Sequence, residues 1–186
     1  MKLTIKLTNF RLHKKLVEKL SVPIPTTDFE IGGNLEIERF ESHTPGWACN
    51  GQPDEIGFTV NKPVQLYSIG LFGSCISSSV TYYQVEIDVR EEKTGRLLGS
   101  QSGNYECSGA GPYMVVFRNP ITLAPKTTYV ITARVKGPDS YKGIKGRQCV
   151  ETKLLNGKKL RVEFSNVYGT KNTTFKWGQI PMLVFS

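Results

Sequence analysis

The sequence predicts an all-β chain: an antiparallel two-sheet β-sandwich of jelly-roll type, with a short N-terminal helical or extended segment. Three observations carry this reading. From Leu35 onward apolar residues recur at alternate positions in short segments, the period of a strand with one buried face. Turn residues interrupt these segments at a spacing of ~10 residues, too often for a long helix and typical of sandwiches. The run Val64 to Ser74, with Leu66, Ile69, Leu71 and Phe72, is the longest mostly apolar stretch and ends in glycines. It is too short to span a bilayer as a helix, so it reads as a core strand buried on both faces. Gly70 and Gly73 would let another backbone approach it closely.

Residues 1–34 form an N-terminal extension. Met1 to Thr8 alternates like an edge strand, and Leu12, Leu16, Val17 and Leu20 fall at helical spacing behind a Thr8 or Asn9 cap. Pro23 and Pro25 stop that helix and make a connector. Residues 35–186 are the sandwich. Leu35 to Phe40 alternates, as do Ile56, Phe58 and Val60. Val85, Ile87 and Val89 point inward while Glu86 and Asp88 face water. Glu92-Lys93-Thr94-Gly95 turns the chain into Arg96 to Ser100, and Tyr113 to Arg118 and Pro120 to Leu123 follow. Thr127 to Lys136 buries Tyr129, Ile131, Ala133 and Val135 until Gly137 breaks it. Gln148 to Leu155 and Lys159 to Asn166 form a hairpin, because Asn156-Gly157 supplies the positive φ of a tight turn. Ile180 to Phe185 is the last strand, with Pro181 near its start, where a sheet tolerates the missing donor.

At 186 residues the chain has the size of one domain, with enough apolar surface for a core without staples. Hydrophobic residues make up 39% and charged residues 22%, the balance of a soluble globular protein, and no apolar run approaches a membrane span. The N-terminus lacks the apolar core of a secretory signal, which predicts a cytoplasmic location. Cys49, Cys75, Cys107 and Cys149 lie far apart, which excludes a zinc ribbon by spacing and favours free thiols. The net charge of +8 is concentrated: between Arg134 and Arg161 nine Lys and Arg stand against Asp139 and Glu151. That patch would steer an acidic protein partner or a nucleic acid, or else serves as a solvated face that blunts strand edges.

No catalytic constellation emerges. Two histidines, His13 and His43, leave little for a nucleophile–base pair or a His-rich metal site. Gly109-Ala110-Gly111 is not followed by the Lys-Ser or Lys-Thr of a phosphate loop. No cofactor or metal is expected. What remains is a set of loops rich in glycine and aromatics on a rigid scaffold, the usual place for recognition. They are His43 to Pro53, Gly73 to Ser79, Gly137 to Gly146 and Tyr168 to Gln179.

Three ordered blocks in this region, Ile69-Gly70-Leu71-Phe72-Gly73-Ser74, Lys136-Gly137-Pro138-Asp139-Ser140 and Gly178-Gln179-Ile180-Pro181, resemble the signature of the PHR domain, named for the Pam and Highwire ubiquitin ligases. Gly46-Trp47 and Asn50-Gly51 extend the resemblance upstream. It implies the same sandwich, and a non-catalytic protein-interaction module that recruits partners or substrates for an E3 ubiquitin ligase, whether a giant RING ligase or a BTB-containing adaptor. The positions it carries over are Trp47, Gly51, Gly73, Gly137, Pro138, Ser140, Gly178 and Gln179. Ser74 and Asp139 join them, because parallel placement of the strands ending at Gly73 and Gly137 would bring both turns to one end, as a glycine-lined groove for an extended peptide. Where the family usually has Asn-Gly-Thr, Asn172-Thr173-Thr174 stands. Two other classes are open on the residues: a carbohydrate- or small-molecule-binding sandwich using Trp47, Trp177 and Tyr141 as stacking platforms, and a nucleic-acid binder using the basic patch.

Overall fold

The computed structural model of the protein describes residues 35–76, 80–109, 111–154, 157–170 and 172–186. The expected N-terminal strand, helix and connector lie outside the described residues, as does Asn156 of the Asn-Gly turn. Among the described residues there are twelve strands and no helix. They are β1 (Leu35–Glu38), β2 (Phe40–Trp47), β3 (Asn50–Val60), β4 (Val64–Leu71), β5 (Thr81–Glu91), β6 (Leu97–Cys107), β7 (Tyr113–Leu123), β8 (Tyr129–Lys136), β9 (Ser140–Gly146), β10 (Cys149–Lys153), β11 (Lys159–Ser165) and β12 (Met182–Phe185).

One sheet has the order β1-β12-β4-β7 and the other β10-β11-β3-β8-β5-β6, with every pairing antiparallel. The chain crosses between these sheets from β3 to β4, β4 to β5, β6 to β7 and β7 to β8, while β5 and β6 form a hairpin. This alternation is the winding of a jelly roll. The β10–β11 hairpin extends the larger sheet, and β2 with β9 makes a separate two-stranded sheet that the sequence did not announce.

Alternation places the core as expected. Ile56, Phe58 and Val60 of β3 and Leu160, Val162 and Phe164 of β11 are buried, as are the odd-numbered apolar positions of β5 and β8. Each such side chain stabilises the sandwich by about 1.5–3 kcal/mol. β4 is an interior strand whose first half alternates, with Gln65 and Tyr67 half-buried, and which is buried without alternation from Ser68 to Leu71, as is Phe72 after it. Gly73 follows, and a Cβ there would sit 2.3 Å from Cys107 Sγ and 2.4 Å from the Gly109 carbonyl, which is the close backbone approach its sequence suggests. All four cysteines are free, Cys49 and Cys107 buried and Cys75 and Cys149 half-buried.

Several local expectations are corrected. Asp88 is buried and accepts a hydrogen bond from Arg90 Nη2 at 3.0 Å, because a neighbour on its own strand neutralises it. Leu35 to Phe40 is two strands in different sheets, separated at Arg39. Tyr113 to Leu123 is one strand, in which residues 117–120 bulge between the pairs Ser68–Val116 and Leu66–Ile121. The bulge lies on an edge strand and accommodates Pro120. The strand after Gly95 runs on from Leu97 to Cys107, and the last strand begins at Met182. Of the four expected loops, His43 to Pro53 and Gly137 to Gly146 are largely strand, since β2 and β9 satisfy each other's backbone groups.

Candidate functional site

The end of the sandwich where β4 and β8 finish gathers all the signature segments. Gly73 and Ser74 lie directly against Asp139 and Ser140: Tyr141 N–H donates to the Gly73 carbonyl at 3.0 Å, Cys75 N–H to that of Asp139 at 3.1 Å, and Ser74 bridges Ser140. The turns after β4 and β8 are therefore neighbours, as the layout of the strands requires. Gly137 N–H donates to the Cys49 carbonyl at 2.9 Å, which ties in the start of β3. Gly178 exchanges backbone hydrogen bonds with Gly143 at 2.9 and 3.1 Å, so the loop before β12 is stitched to β9.

Gln179 locks these segments together. It is 1% exposed. Its Oε1 accepts from Phe72 N–H at 3.0 Å, and its Nε2 donates to Ser140 Oγ and to the Tyr141 carbonyl at 3.0 Å. Ser140, fully buried, also accepts from Cys49 Sγ at 3.4 Å and donates to the Tyr141 carbonyl at 2.9 Å. One amide thus joins the end of β4 to the start of β9 and satisfies the buried Phe72 N–H, which would otherwise be a costly orphan.

Two buried charges support the same end. Arg39, 1% exposed, donates from Nε to the Ile180 carbonyl at 3.1 Å, from Nη1 to that of Thr174 at 2.7 Å, and from Nη2 to that of Gln179. Its guanidinium lies 4.1 Å from the centroid of the Phe40 ring. Burial pulls its pKa down to about 9, against the pull of Asp54. The planar fork suits this position, because the carbonyls belong to three different residues. It also braces a strained turn: Ile180 has φ 66° and Gly178 has φ 124°, and a β-branched residue at positive φ persists only where its surroundings hold it.

Asp54 is buried and accepts from Trp47 Nε1 at 3.2 Å and Thr173 Oγ1 at 2.8 Å. The neighbouring Asn172 donates from Nδ2 to the Pro53 carbonyl at 3.1 Å, so the Asn172 and Thr173 side chains are both committed to the fold. Burial pushes the Asp54 carboxyl up to about 6 from an ordinary 3.8, with Thr173, Trp47 and Arg39 pulling the other way. Between those values the folded chain holds a proton that the unfolded chain has released. The stability from this proton is fully present below 3.8 and is lost as pH rises through 6, a swing of roughly 3 kcal/mol. Denaturant titrations at about pH 4 and pH 7 should show this loss in the wild type, and Asp54→Asn should show roughly 3 kcal/mol less of it. Parallel profiles for the two proteins would exclude Asp54 as the source.

The predicted site residues divide into two sets. Gly73, Ser74, Ser140, Gly178 and Gln179 are buried, so the expected groove with serine hydroxyls facing a ligand is corrected: Ser140 Oγ accepts from Gln179, and Ser74 Oγ accepts from Ile76 N–H in its own turn at 3.2 Å. Gly137 and Asp139 are exposed, and Trp47, Gly51 and Pro138 are half-buried. Sequence reasoning missed Arg39, Asp54 and Thr173. Arg39 alone left a sign, since it continues the alternating face of Leu35 and Ile37 where an apolar residue belongs.

The other function classes find little support in these residues. Of the three rings suggested as stacking platforms, Trp47 donates to Asp54 with Lys142 Nζ 5.7 Å from its centroid, and Tyr141 meets His43 edge-on at 5.0 Å. Trp177 is the more open ring, 44% exposed. The basic run is spread over strands of two sheets and partly paired: Lys159 with Glu151 at 3.1 Å, Arg161 with Glu163 at 2.5 Å, and Arg134 with Glu86 at 3.9 Å. Among the described residues, no cluster of His, Cys, Asp and Glu is suited to a metal ion.

Comparison with known proteins agrees with this architecture. The family model of the PHR domain matches residues 38–186. The chain is 29% identical over 154 residues to the E3 ubiquitin-protein ligase MYCBP2 of Danio rerio, covering 80% of this chain and 3% of that protein. It is 31% identical over 142 residues to the human BTB/POZ domain-containing protein 3, covering 75% of this chain and 26% of the relative. With BTB/POZ domain-containing protein 6 of Xenopus tropicalis it shares 28% identity over 141 residues, 75% of this chain and 25% of the relative. The chain thus spans about a quarter of the BTB/POZ relatives and a small part of the ligase. A jelly roll whose end is tied together by Gly-Gln-Ile-Pro, Gly-Pro-Asp-Ser and Leu-Phe-Gly-Ser, matched by the family model over most of its length, belongs to the PHR domain family.

Proposed function

We propose that this chain is a non-catalytic, cytoplasmic protein-interaction module, recruiting a partner or substrate for ubiquitin ligation as one part of a larger ligase or ligase adaptor. Residues 35–186 act as the interaction domain and 1–34 as an extension to it. One observation carries the reading: Gln179 and Arg39 spend buried hydrogen bonds on making a rigid platform from segments far apart in sequence. A pre-ordered surface loses little entropy on binding, which suits recognition. The groups that meet the partner are the exposed ones around the knot, namely Asp139, Trp177, His43 and the half-buried Trp47 and Tyr141. The relatives' names, an E3 ubiquitin-protein ligase and BTB/POZ domain-containing proteins, supply the ligase context.

The test is capture from a cell lysate on immobilised wild-type chain, followed by titration of the captured proteins against Asp139→Arg and Trp177→Ala. Both positions are exposed, so the melting temperature should hardly move while affinity falls at least tenfold, about 1.4 kcal/mol. Undiminished binding by both variants would place recognition elsewhere on the domain.

A further inference from the structure

A cavity of about 250 Å³ opens beside the Gln179 knot. Its walls are Phe40, Phe72 and Pro181, all buried, with Met182 half-buried and Pro112 exposed. Phe72 and Pro181 belong to the signature blocks, and the knot fixes both: Phe72 N–H donates to Gln179 Oε1 at 3.0 Å, and the Pro181 carbonyl accepts from Arg39 N–H at 2.8 Å. Gly70 of β4 leaves room for Met182 and Pro112, because an added Cβ there would stand 3.0 Å from Met182 Cβ and 3.4 Å from Pro112 Cβ. The walls are thus in place before any partner arrives, which lowers the entropy that binding costs.

The charge at this cavity is opposite in sign to that of the chain. Against a net charge of +8, its lining holds Glu38 and Glu41 and no lysine or arginine. Both glutamates are exposed, and among the described residues neither carboxylate makes a hydrogen bond or an ion pair. Two cations stand near without neutralising them. Arg147 donates from Nη2 to the backbone carbonyl of Glu38 at 2.8 Å, and Lys145 lies between Ile144 and Gly146, the β9 partners of Ser42 and Phe40, beyond ion-pair distance of Glu41. Apolar walls beside two free carboxylates match one kind of side chain, an aliphatic stem that ends in a cation. The cavity is also smaller than the roughly 300–1,000 Å³ of pockets that enclose a whole small molecule, so it suits a single side chain whose backbone stays outside.

We propose that this cavity takes a lysine or arginine side chain from an exposed segment of a partner protein, with the stem against Phe72, Pro181 and Met182 and the charge at Glu38 and Glu41. The proposal rests on the reading of this chain as a protein-interaction module and names the chemistry that the partner presents. The cavity adjoins the surface which that reading uses, since His43 lines it as well.

Random 12-residue peptides displayed on phage and selected on the immobilised full chain supply the probe. The selected peptides should be enriched in lysine or arginine beside apolar residues. A chain of net charge +8 repels basic peptides at large, so this enrichment reports on the cavity. The strongest peptide is then labelled with fluorescein and titrated by polarisation. Glu38→Lys combined with Glu41→Lys should weaken it at least about tenfold with the melting temperature nearly unmoved, and Glu38→Gln with Glu41→Gln, which keeps the side-chain size, should weaken it in the same direction. A peptide whose cation is exchanged for glutamate should bind the charge-reversed chain better than the wild type. A selection that yields no binder, or peptides without basic residues, overturns the proposal. So does a basic peptide that binds the reversed chain as tightly as the wild type. The reading as an interaction module survives each of these failures, because it is tested with captured proteins against Asp139→Arg and Trp177→Ala, and neither residue lines this cavity.

Discussion

Arg39→Lys should lower the stability of the domain by about 3 kcal/mol and its melting temperature by ~6–12 °C, read by denaturant and thermal unfolding. The charge is kept, so any loss reports on geometry. The guanidinium reaches the carbonyls of Thr174, Gln179 and Ile180 from three separate nitrogens, whereas an ammonium offers its donors from one point. At least one carbonyl is then left unsatisfied in a buried place, at about 1–3 kcal/mol each, and the cation still bears its desolvation. Lys176→Ala, at an exposed position of the same loop, should change the melting temperature little. An Arg39→Lys protein that melts with the wild type would mean that these bonds are redundant.

Gly146→Ala should cost about 3 kcal/mol or more. Its Cβ would stand 1.8 Å from the Phe175 carbonyl oxygen and 3.0 Å from Lys176 Cα, and both are backbone atoms that no rotamer change can clear. The two segments are held this close by the hydrogen bond from Gly146 N–H to the Lys176 carbonyl at 2.9 Å. The methyl must therefore push the loop that carries Trp177 and Gln179 away from β9, beyond the ordinary range of overpacking. Gly111→Ala, where an added Cβ meets nothing within 4 Å, is the control and should be nearly neutral. Equal melting temperatures for the two variants would show that the loop yields freely and that the platform is not rigid.

What could be read in advance and what could not differ by the range of the interaction. Val85, Ile87 and Val89, or Leu160, Val162 and Phe164, announce strand and inward face, because the two-residue period is written in neighbouring positions. The Gly137 break and the Asn156-Gly157 hairpin are as local, and they predict the ends of β8 and the pairing of β10 with β11. The glycine and serine blocks were legible as a family signature, and the segments they mark meet at one end of the sandwich.

Their direction was not legible. Ser74, Ser140 and Gln179 read as exposed recognition groups, yet they are buried, and Gln179 meets partners 38 to 107 residues away that only the folded chain brings together. Asp88 was assigned to solvent by alternation and is buried beside Arg90. Alternation also joined Leu35 to Phe40 in one strand, whereas Arg39 leaves it to serve carbonyls 135 to 141 residues downstream. Composition and period thus settled by themselves that this chain is a β-sandwich, where most of its strands lie and which of their faces are apolar. Strand order, the β2–β9 sheet and the buried Arg39–Gln179 knot were decided only in the tertiary structure. They depend on hydrogen-bond partners and packing across the whole chain, for which no neighbouring residue carries a signal.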